Sequence, residues 1–272
     1  MNTSKNYTLC STNSDRMGLI LGLAATFTAS VASAAVDPQR LLVSADNIRN
    51  PQGDFSVKVS LAEYRSRKLV GSSVLTVYSK LDGSSGQYNN LVGYLSPKRE
   101  KGKLVLRNGV DLWFYDPSSK ASVRISPQAR LLGQASSGDV MSTNLASGYK
   151  ATLVKKEKIK DDQKIIRTCA KLRVVAQRDN LPYDRIDYWV DEETARPLKA
   201  QFFTTEGRLL KTAYFRRYKM VLDQERPTET VIIDGLDSNW ITVLRTTDFK
   251  WQDVPNTWLQ RGFLPRFKGS EQ

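Results

Sequence analysis

The sequence predicts a mainly β protein of the α+β class, in which consecutive strands build one antiparallel sheet. Apolar and polar residues alternate with a period of two along most of the chain. Short turn sequences such as Asp82-Gly83 and Glu206-Gly207 separate the alternating runs. Helical spacing is found only near the start of this pattern and once in its middle. A meander of this length must curl or close to bury one of its faces.

Residues 1–34 have the features of a secretory signal peptide. Lys5 and Arg16 supply positive charge, an apolar run extends from Met17 to Ala29, and small residues follow up to Ala34. The run is shorter than the roughly 20 residues that a membrane-spanning helix needs, so a retained anchor is the less favoured interpretation. We expect cleavage near Ala34, export to the periplasm, and a single domain over residues 35–272.

The first element of that domain is predicted to be an amphipathic helix. Asp37 is a suitable N-cap and Pro38 a suitable first helical residue, and the pattern continues to about Arg49. The proposed buried face consists of Leu41, Leu42, Ala45 and Ile48. Residues 51–53, which read Pro-Gln-Gly, end the helix.

Roughly a dozen antiparallel strands are predicted after the helix. The first group covers residues 55–62, 68–80, 87–95, 103–107, 110–115 and 121–126. The second group covers residues 150–157, 164–176, 185–190, 198–204, 208–218, 228–233 and 240–251. Trp113 and Tyr115 share one face of their strand, and Leu112 and Phe114 share the other. Apolar side chains on both faces indicate that helices or a lipid cover the sheet.

Between the two groups, the spacing of apolar residues indicates short helices. These residues are Leu131, Leu132, Val140, Met141 and Leu145. Such helices either fill a core or cover a cavity. Gly133, Gly138 and several small residues interrupt the pattern, which favours a movable cover.

The charge of the chain indicates which partners it suits. The sequence has 41 basic and 28 acidic residues, a net charge of +13, and residues 1–34 hold two of the basic and one of the acidic ones, which leaves +12. A basic exported protein suits anionic membrane surfaces or acidic partners, and export argues against nucleic acid. The basic residues are spread along strands, which indicates a solvated strand face; they include Lys58, Lys103, Arg124, Lys171, Arg185 and Lys199.

Several kinds of catalytic or metal site are excluded or disfavoured. The absence of histidine excludes Ser-His-Asp and Cys-His arrangements and every metal site that uses histidine. After processing, Cys169 has no second cysteine to pair with, and its apolar strand predicts a buried thiol. Residues 147–150 match Ser-x-x-Lys only at a helix-to-strand junction, and the acidic residues 191–193 occupy a predicted hairpin turn. We therefore expect no enzyme, no cofactor and no metal.

Six segments, taken in order, resemble the outer-membrane lipoprotein-sorting family, the LolA-like periplasmic carriers. They are the helix end Ala45–Arg49, the Trp-x-Tyr-x-Pro segment Gly109–Pro117, the insert Leu132–Asp139, the strand Asp187–Asp191, the turn at Gly207, and the segment Trp258–Arg266. The resemblance covers almost all of residues 35–272. It implies a curled half-barrel of about eleven antiparallel strands, with an N-terminal helix and a short helical lid.

The resemblance also implies a function and a set of binding residues. Carriers of this kind take up acyl chains of lipids or lipoproteins, so we expect shuttling from the inner membrane, or from an inner-membrane exporter, toward the outer membrane. The expected partners are these acyl chains, an inner-membrane transporter and, transiently, the membrane surface; the expected state is a monomer. The expected lining residues are Val57, Val59, Leu75, Val77, Trp113, Tyr115, Leu131, Leu132, Met141, Leu145, Tyr188 and Phe202.

Two alternatives stay open from the sequence. An arginine that locks the lid is expected from the resemblance, and Arg65, Arg67 and Arg107 are the candidates. Half-barrels of this type also occur in periplasmic regulatory sensors that bind a membrane-anchored partner such as an anti-sigma factor. That function is the alternative to a carrier.

Overall fold

The computed structural model describes residues 36–126, 128–178 and 181–269. The predicted signal peptide, residues 1–34, therefore lies outside the described residues. In chain order, the strands of the first half are β1 (Phe55–Arg65), β2 (Lys68–Leu81), β3 (Tyr88–Ser96), β4 (Leu104–Asn108), β5 (Asp111–Asp116) and β6 (Ala121–Arg124). The insert contains β7 (Arg130–Leu132), β8 (Ala135–Ser136) and the helix α2 (Ser137–Val140). The second half contains β9 (Tyr149–Lys160), β10 (Ile166–Ala176), β11 (Arg185–Asp191), β12 (Pro197–Phe203), β13 (Leu209–Val221), β14 (Gln224–Asp234) and β15 (Trp240–Trp251).

The main sheet has 13 strands in the order β6-β5-β4-β3-β2-β1-β15-β14-β13-β12-β11-β10-β9. Its two halves join where the last strand returns to the first, because β15 pairs antiparallel with β1 and places Leu244 opposite Leu61. Strands β6 and β9 form the two edges, so the sheet is open. The predicted fold class is confirmed. The 13 strands equal the number of alternating segments in the sequence, whereas the resemblance implied about eleven strands.

The predicted N-terminal helix is confirmed as α1, which spans Pro38–Arg49. The carboxylate of Asp37 caps it by accepting hydrogen bonds of 2.9 and 3.1 Å from two backbone N–H groups of the first turn. At the other end, Nη1 of Arg226 donates to the carbonyl oxygens of Asn47 and Ile48 over 2.8 and 2.9 Å. These bonds satisfy carbonyls that the end of a helix leaves without partners. Within the described residues, no helix is long and apolar enough to cross a membrane.

The insert differs from the predicted short helices. Leu131 and Leu132 lie in a small hairpin formed by β7 and β8, and only the short helix α2 follows. Gly133 turns the hairpin with a φ of +53°, and a Cβ at that position would lie 2.4 Å from Oγ1 of Thr242. The same Oγ1 accepts a 2.8 Å hydrogen bond from the backbone N–H of Gln134. This left-handed turn, fixed against β15, interrupts the helix that the leucine spacing suggested. We call residues 130–148 the cover segment.

The two faces of the sheet carry separate apolar cores. On the concave face, residues such as Val59, Leu75 and Ile186 pack with α1 and the cover segment. On the convex face, a smaller core lies beneath the C-terminal segment 252–269, which contains a 3₁₀ helix over Arg261–Arg266. Its buried members are Tyr78, Leu91, Leu104, Leu106, Tyr115, Val254, Leu259 and Leu264.

This division corrects the predicted position of two aromatic residues. Trp113 and Tyr115 were expected inside the cavity, but they belong to the convex core under the C-terminal segment. Paired residues in neighbouring strands point to the same face. Trp113 pairs with Leu106, whereas Phe114 pairs with Val105 of the concave core. The strand alternation was therefore predicted correctly, but the assignment of its faces was reversed.

Candidate functional site

Two cavities lie between the concave face and the cover segment. The first, the inner cavity, has a volume of about 130 Å³. Its apolar lining includes Val57, Val59, Met141, Leu145, Phe202, Ala213, Phe215, Leu244 and Phe249. The second, the outer cavity, has about 230 Å³ and lies where the β2–β3 and β4–β5 turns meet the cover segment and the residues Arg178, Leu181 and Pro182. Gly138, Met141 and Pro182 line both cavities, so these residues form the partition between them.

The structure brings most of the predicted lining residues together on one face. Val57, Val59, Met141, Leu145 and Phe202 line the inner cavity. Leu75, Val77 and Tyr188 are buried in the same concave core, and Leu131 and Leu132 pack against it half-buried from the cover segment. Trp113 and Tyr115 are separated from the others by the sheet itself.

A buried ion pair holds the cover segment to the sheet, and the sequence did not reveal it. Nζ of Lys211 on β13 contacts the carboxylate of Asp139, and the two side chains are only 6% and 8% exposed. The same Nζ lies 3.4 Å from the carbonyl oxygen of Gln134 and 3.3 Å from Oγ of Ser136. Burial lowers the pKa of Lys211, but the negative charge of Asp139 and hydrogen bonding to Asp139 and Tyr183 more than offset it, so the pKa is raised. Strand alternation places Lys211 on the apolar face, and this was the available signal.

Helix α1 holds the other end of the cover segment through polar groups. Nη2 of Arg49 and Nδ2 of Asn50 donate to the carbonyl oxygen of Thr143 over 2.8 and 3.1 Å. Oδ2 of Asp46 accepts a 2.8 Å hydrogen bond from the backbone N–H of Ala146. Burial raises the pKa of Asp46 to about 6, against the opposing effects of Arg49 and of the backbone donors. Directed polar contacts thus fix the cover segment at both ends.

The three arginines considered for lid locking have different surroundings. Nη1 of Arg107 donates to Oγ1 of Thr143 in the cover segment over 2.9 Å. Arg65 instead stacks on the ring of Trp240, 3.1 Å from its centroid. Arg67 lies in the β1–β2 turn with a φ of +67°. In the part of the chain that the structure describes, Arg107 alone of these three forms a hydrogen bond to the cover segment.

The convex face carries an excess of positive charge. Asp187 is flanked by Lys171 at 3.0 Å, Arg173 at 3.6 Å and Arg185 at 3.8 Å. Glu229 is likewise flanked by three arginines, at 2.8 to 3.7 Å. Each carboxylate is almost fully buried and faces three cations, so each cluster is positive overall. The basic residues of these two clusters therefore lie away from the cavities, on the outer surface.

The groups considered above for catalysis or metal binding are engaged in local hydrogen bonds or buried in the sheet. The carboxylate of Asp191 accepts a hydrogen bond from the hydroxyl of Thr194 in its own turn. Burial raises the pKa of the Cys169 thiol to about 12. Oγ of Ser147 donates to a backbone carbonyl and accepts a 2.7 Å bond from Gln87. Among the described residues, no group of three or more Cys, Asp or Glu side chains is arranged to hold a metal ion.

Comparison with known proteins identifies the family. No curated protein sequence matches the chain, and a family model described as an uncharacterized protein matches residues 86–266. A LolA superfamily protein from Nitrosomonas europaea is 30% identical, with a TM-score of 0.75 over 84% of this chain and 100% of that one. A putative outer membrane lipoprotein-sorting protein domain from Vibrio parahaemolyticus is 20% identical and shares the fold, with a TM-score of 0.69 over 84% of this chain and 98% of that one. A DUF1329 family protein from Desulfovibrio piger, also 20% identical, shares the fold with a TM-score of 0.69 over 84% of this chain and 100% of that one. The chain has a concave apolar face under a cover segment, and it matches the Nitrosomonas europaea structure at 30% identity along that structure's whole length. We conclude that the protein belongs to the LolA superfamily.

Proposed function

We propose that this protein is a periplasmic carrier that binds acyl chains of a lipid or lipoprotein beneath the cover segment. It shuttles them from the inner membrane, or from an inner-membrane exporter, toward the outer membrane. The observation that carries this proposal is the partition between the two cavities. Met141 and Pro182 separate two apolar spaces of about 130 and 230 Å³, so a displacement of the cover segment would join them.

Burial of the acyl chain supplies the affinity. Each methylene group transferred from water contributes about 0.8 kcal/mol, so about ten of them give about 8 kcal/mol before the costs of ordering are subtracted. Polar contacts that hold the cover segment against the sheet oppose entry of the chain. They are made by Asp46, by Arg49 and by the ion pair of Asp139 with Lys211. They favour the closed state until a chain occupies the space.

The proposed transport needs no catalytic group and no cofactor. An inner-membrane transporter would load the carrier, because the chain has no nucleotide-binding motif to supply energy. The positive clusters around Asp187 and Glu229 favour transient contact with an anionic membrane surface. The carrier would act as a monomer.

The proposal is tested by organic extraction and mass spectrometry of protein purified without detergent. We expect a bound acyl lipid. A matched pair of variants in β15 locates it: Thr246 lines the inner cavity, whereas Thr247 is exposed on the opposite face. Thr246→Phe fills the cavity and should lower the lipid content, and Thr247→Phe should leave it unchanged. Thermal melting of both variants verifies that each one is folded.

Equal lipid content in the two variants would contradict binding in the inner cavity. Protein that purifies without lipid and retains a membrane-anchored regulatory protein would instead support the sensor function.

A further inference from the structure

We infer that the outer cavity binds the phosphate-bearing head group of an anionic amphiphile whose acyl chain enters the inner cavity. This inference rests on the proposed function and specifies its ligand class. Two arginines, Arg107 and Arg178, line the outer cavity. Nothing in acyl-chain binding requires a pair of guanidinium groups there.

Arg107 lies near the end of β4, and its side chain reaches toward the cover segment. Its Nη1 donates to Oγ1 of Thr143 over 2.9 Å, and its Nε lies 3.5 Å from the carbonyl oxygen of Gly109. In the described part of the chain, Nη2 has no hydrogen-bond partner. A guanidinium has five N–H donors in a planar fork and stays charged in proteins, so donors are left for a ligand.

Arg178 approaches the same cavity from the loop between β10 and β11. It is exposed, and neither Arg178 nor Arg107 forms an ion pair with a carboxylate among the residues that the structure describes. The positive charge of Arg178 contributes to lowering the pKa of Arg107, although burial is the larger cause. Two like charges that repel each other across a cavity are stabilised by an anion placed between them.

Asp82 is the third charged residue of the lining. Its carboxylate accepts hydrogen bonds from the backbone N–H of Ser84 at 3.0 Å and from the hydroxyls of Ser84 and Ser85 at 2.8 Å. These bonds lower the pKa of Asp82, so the group is a fixed negative charge that belongs to its own turn. Among the described residues, the lining therefore carries two positive charges and one negative charge, an excess that favours an anion.

The remaining wall is mainly apolar and leads inward. It includes Val110, Leu112, Met141, Leu181 and Pro182. Because Met141 and Pro182 also line the inner cavity, a ligand held by its head group at the arginines can pass its chain beside them. Guanidinium groups bind phosphate oxygens through paired hydrogen bonds, which makes a phosphate the best complement to two arginines.

The test compares two ligands that differ only in the phosphate: palmitoyl lysophosphatidic acid and monopalmitoylglycerol. Dissociation constants are measured by titration calorimetry of the full chain after delipidation. We expect the phosphorylated ligand to bind about tenfold more tightly or better, because a hydrogen bond to a charged group contributes more than one to a neutral group. Arg178→Leu should remove most of this preference. Arg99→Leu, the same substitution at an arginine of the β3–β4 turn whose side chain is 84% exposed, should preserve it.

The outcomes separate this inference from the proposed function. Equal affinity of the wild-type protein for both ligands would overturn the head-group site and leave the acyl carrier intact. Failure of both ligands to bind would overturn the carrier function and the head-group site with it. Displacement of lysophosphatidic acid by an equimolar amount of inorganic phosphate would show that the acyl chain adds no affinity, and would therefore assign the site to free phosphate and contradict an amphiphile site.

Discussion

Removal of the charge of Asp139 should release the cover segment without unfolding the sheet. In Asp139→Asn, the side chain keeps an oxygen that can accept the 2.7 Å hydrogen bond from the backbone N–H of Ser136. Lys211, however, loses its counter-ion while its Nζ lies beside the rings of Tyr183 and Phe202, 5.0 and 5.3 Å from their centroids. The substitution therefore isolates the ion pair from the local structure of α2.

The magnitude follows from the burial of the pair. Removal of one partner from a buried ion pair costs about 3–5 kcal/mol when the remaining charge stays buried. Displacement of the cover segment would admit water to Lys211, so the loss of global stability cannot exceed the free energy that this displacement requires. We expect the free energy of unfolding to fall by only about 1–2 kcal/mol.

Hydrogen exchange provides the more direct assay. The backbone amides of residues 130–148 should exchange about tenfold faster in Asp139→Asn, because a fall of about 1–2 kcal/mol in the free energy of opening corresponds to about one factor of ten. Asp248→Asn is the control, since its partner Lys58 is 2.7 Å away but both side chains are about half exposed. Exposed pairs contribute at most about 1 kcal/mol, so exchange in the cover segment should be unchanged. A global loss of about 3–5 kcal/mol without selective exchange would show that the cover segment is part of the cooperative core.

Two further predictions concern a titrating group and the convex core. The pKa of Asp46 is raised from 3.8 to about 6, so the contribution of this group to the free energy of unfolding should be fully present below about pH 4 and should fall by a few kcal/mol as the pH rises through about 6. When the free energy of unfolding is measured by urea denaturation across this range, Asp46→Asn should lack this fall. Parallel curves of free energy against pH for the two proteins would refute this role of Asp46. Leu264 is 1% exposed under the C-terminal segment, and Leu264→Ala should lower the free energy of unfolding by about 2–5 kcal/mol. The lipid content of the folded variant should stay at the wild-type level, and its loss would contradict the separation of the two cores.

The local elements could be predicted because their signals are local. The Asp37-Pro38 cap and the apolar spacing fixed the start and end of α1 closely. Each alternating run gave a strand of the main sheet, and the turn sequences separated them. The insert was less predictable, because Leu131 and Leu132 suit a helix and a hairpin equally well. Contact of Gly133 and Gln134 with Thr242 on β15 selected the hairpin.

The sequence by itself determined the class of fold, the helix, the strands and the absence of histidine chemistry, since periodicity, capping and composition are properties of neighbouring residues. Only the tertiary structure decided which face of an apolar strand is concave, because Trp113 and Phe114 carry equivalent local signals and differ only in what packs on them. It also brought Lys211 to Asp139, 72 residues away in the chain. The curvature of the sheet makes such contacts, and no local pattern specifies which distant side chains it will bring together.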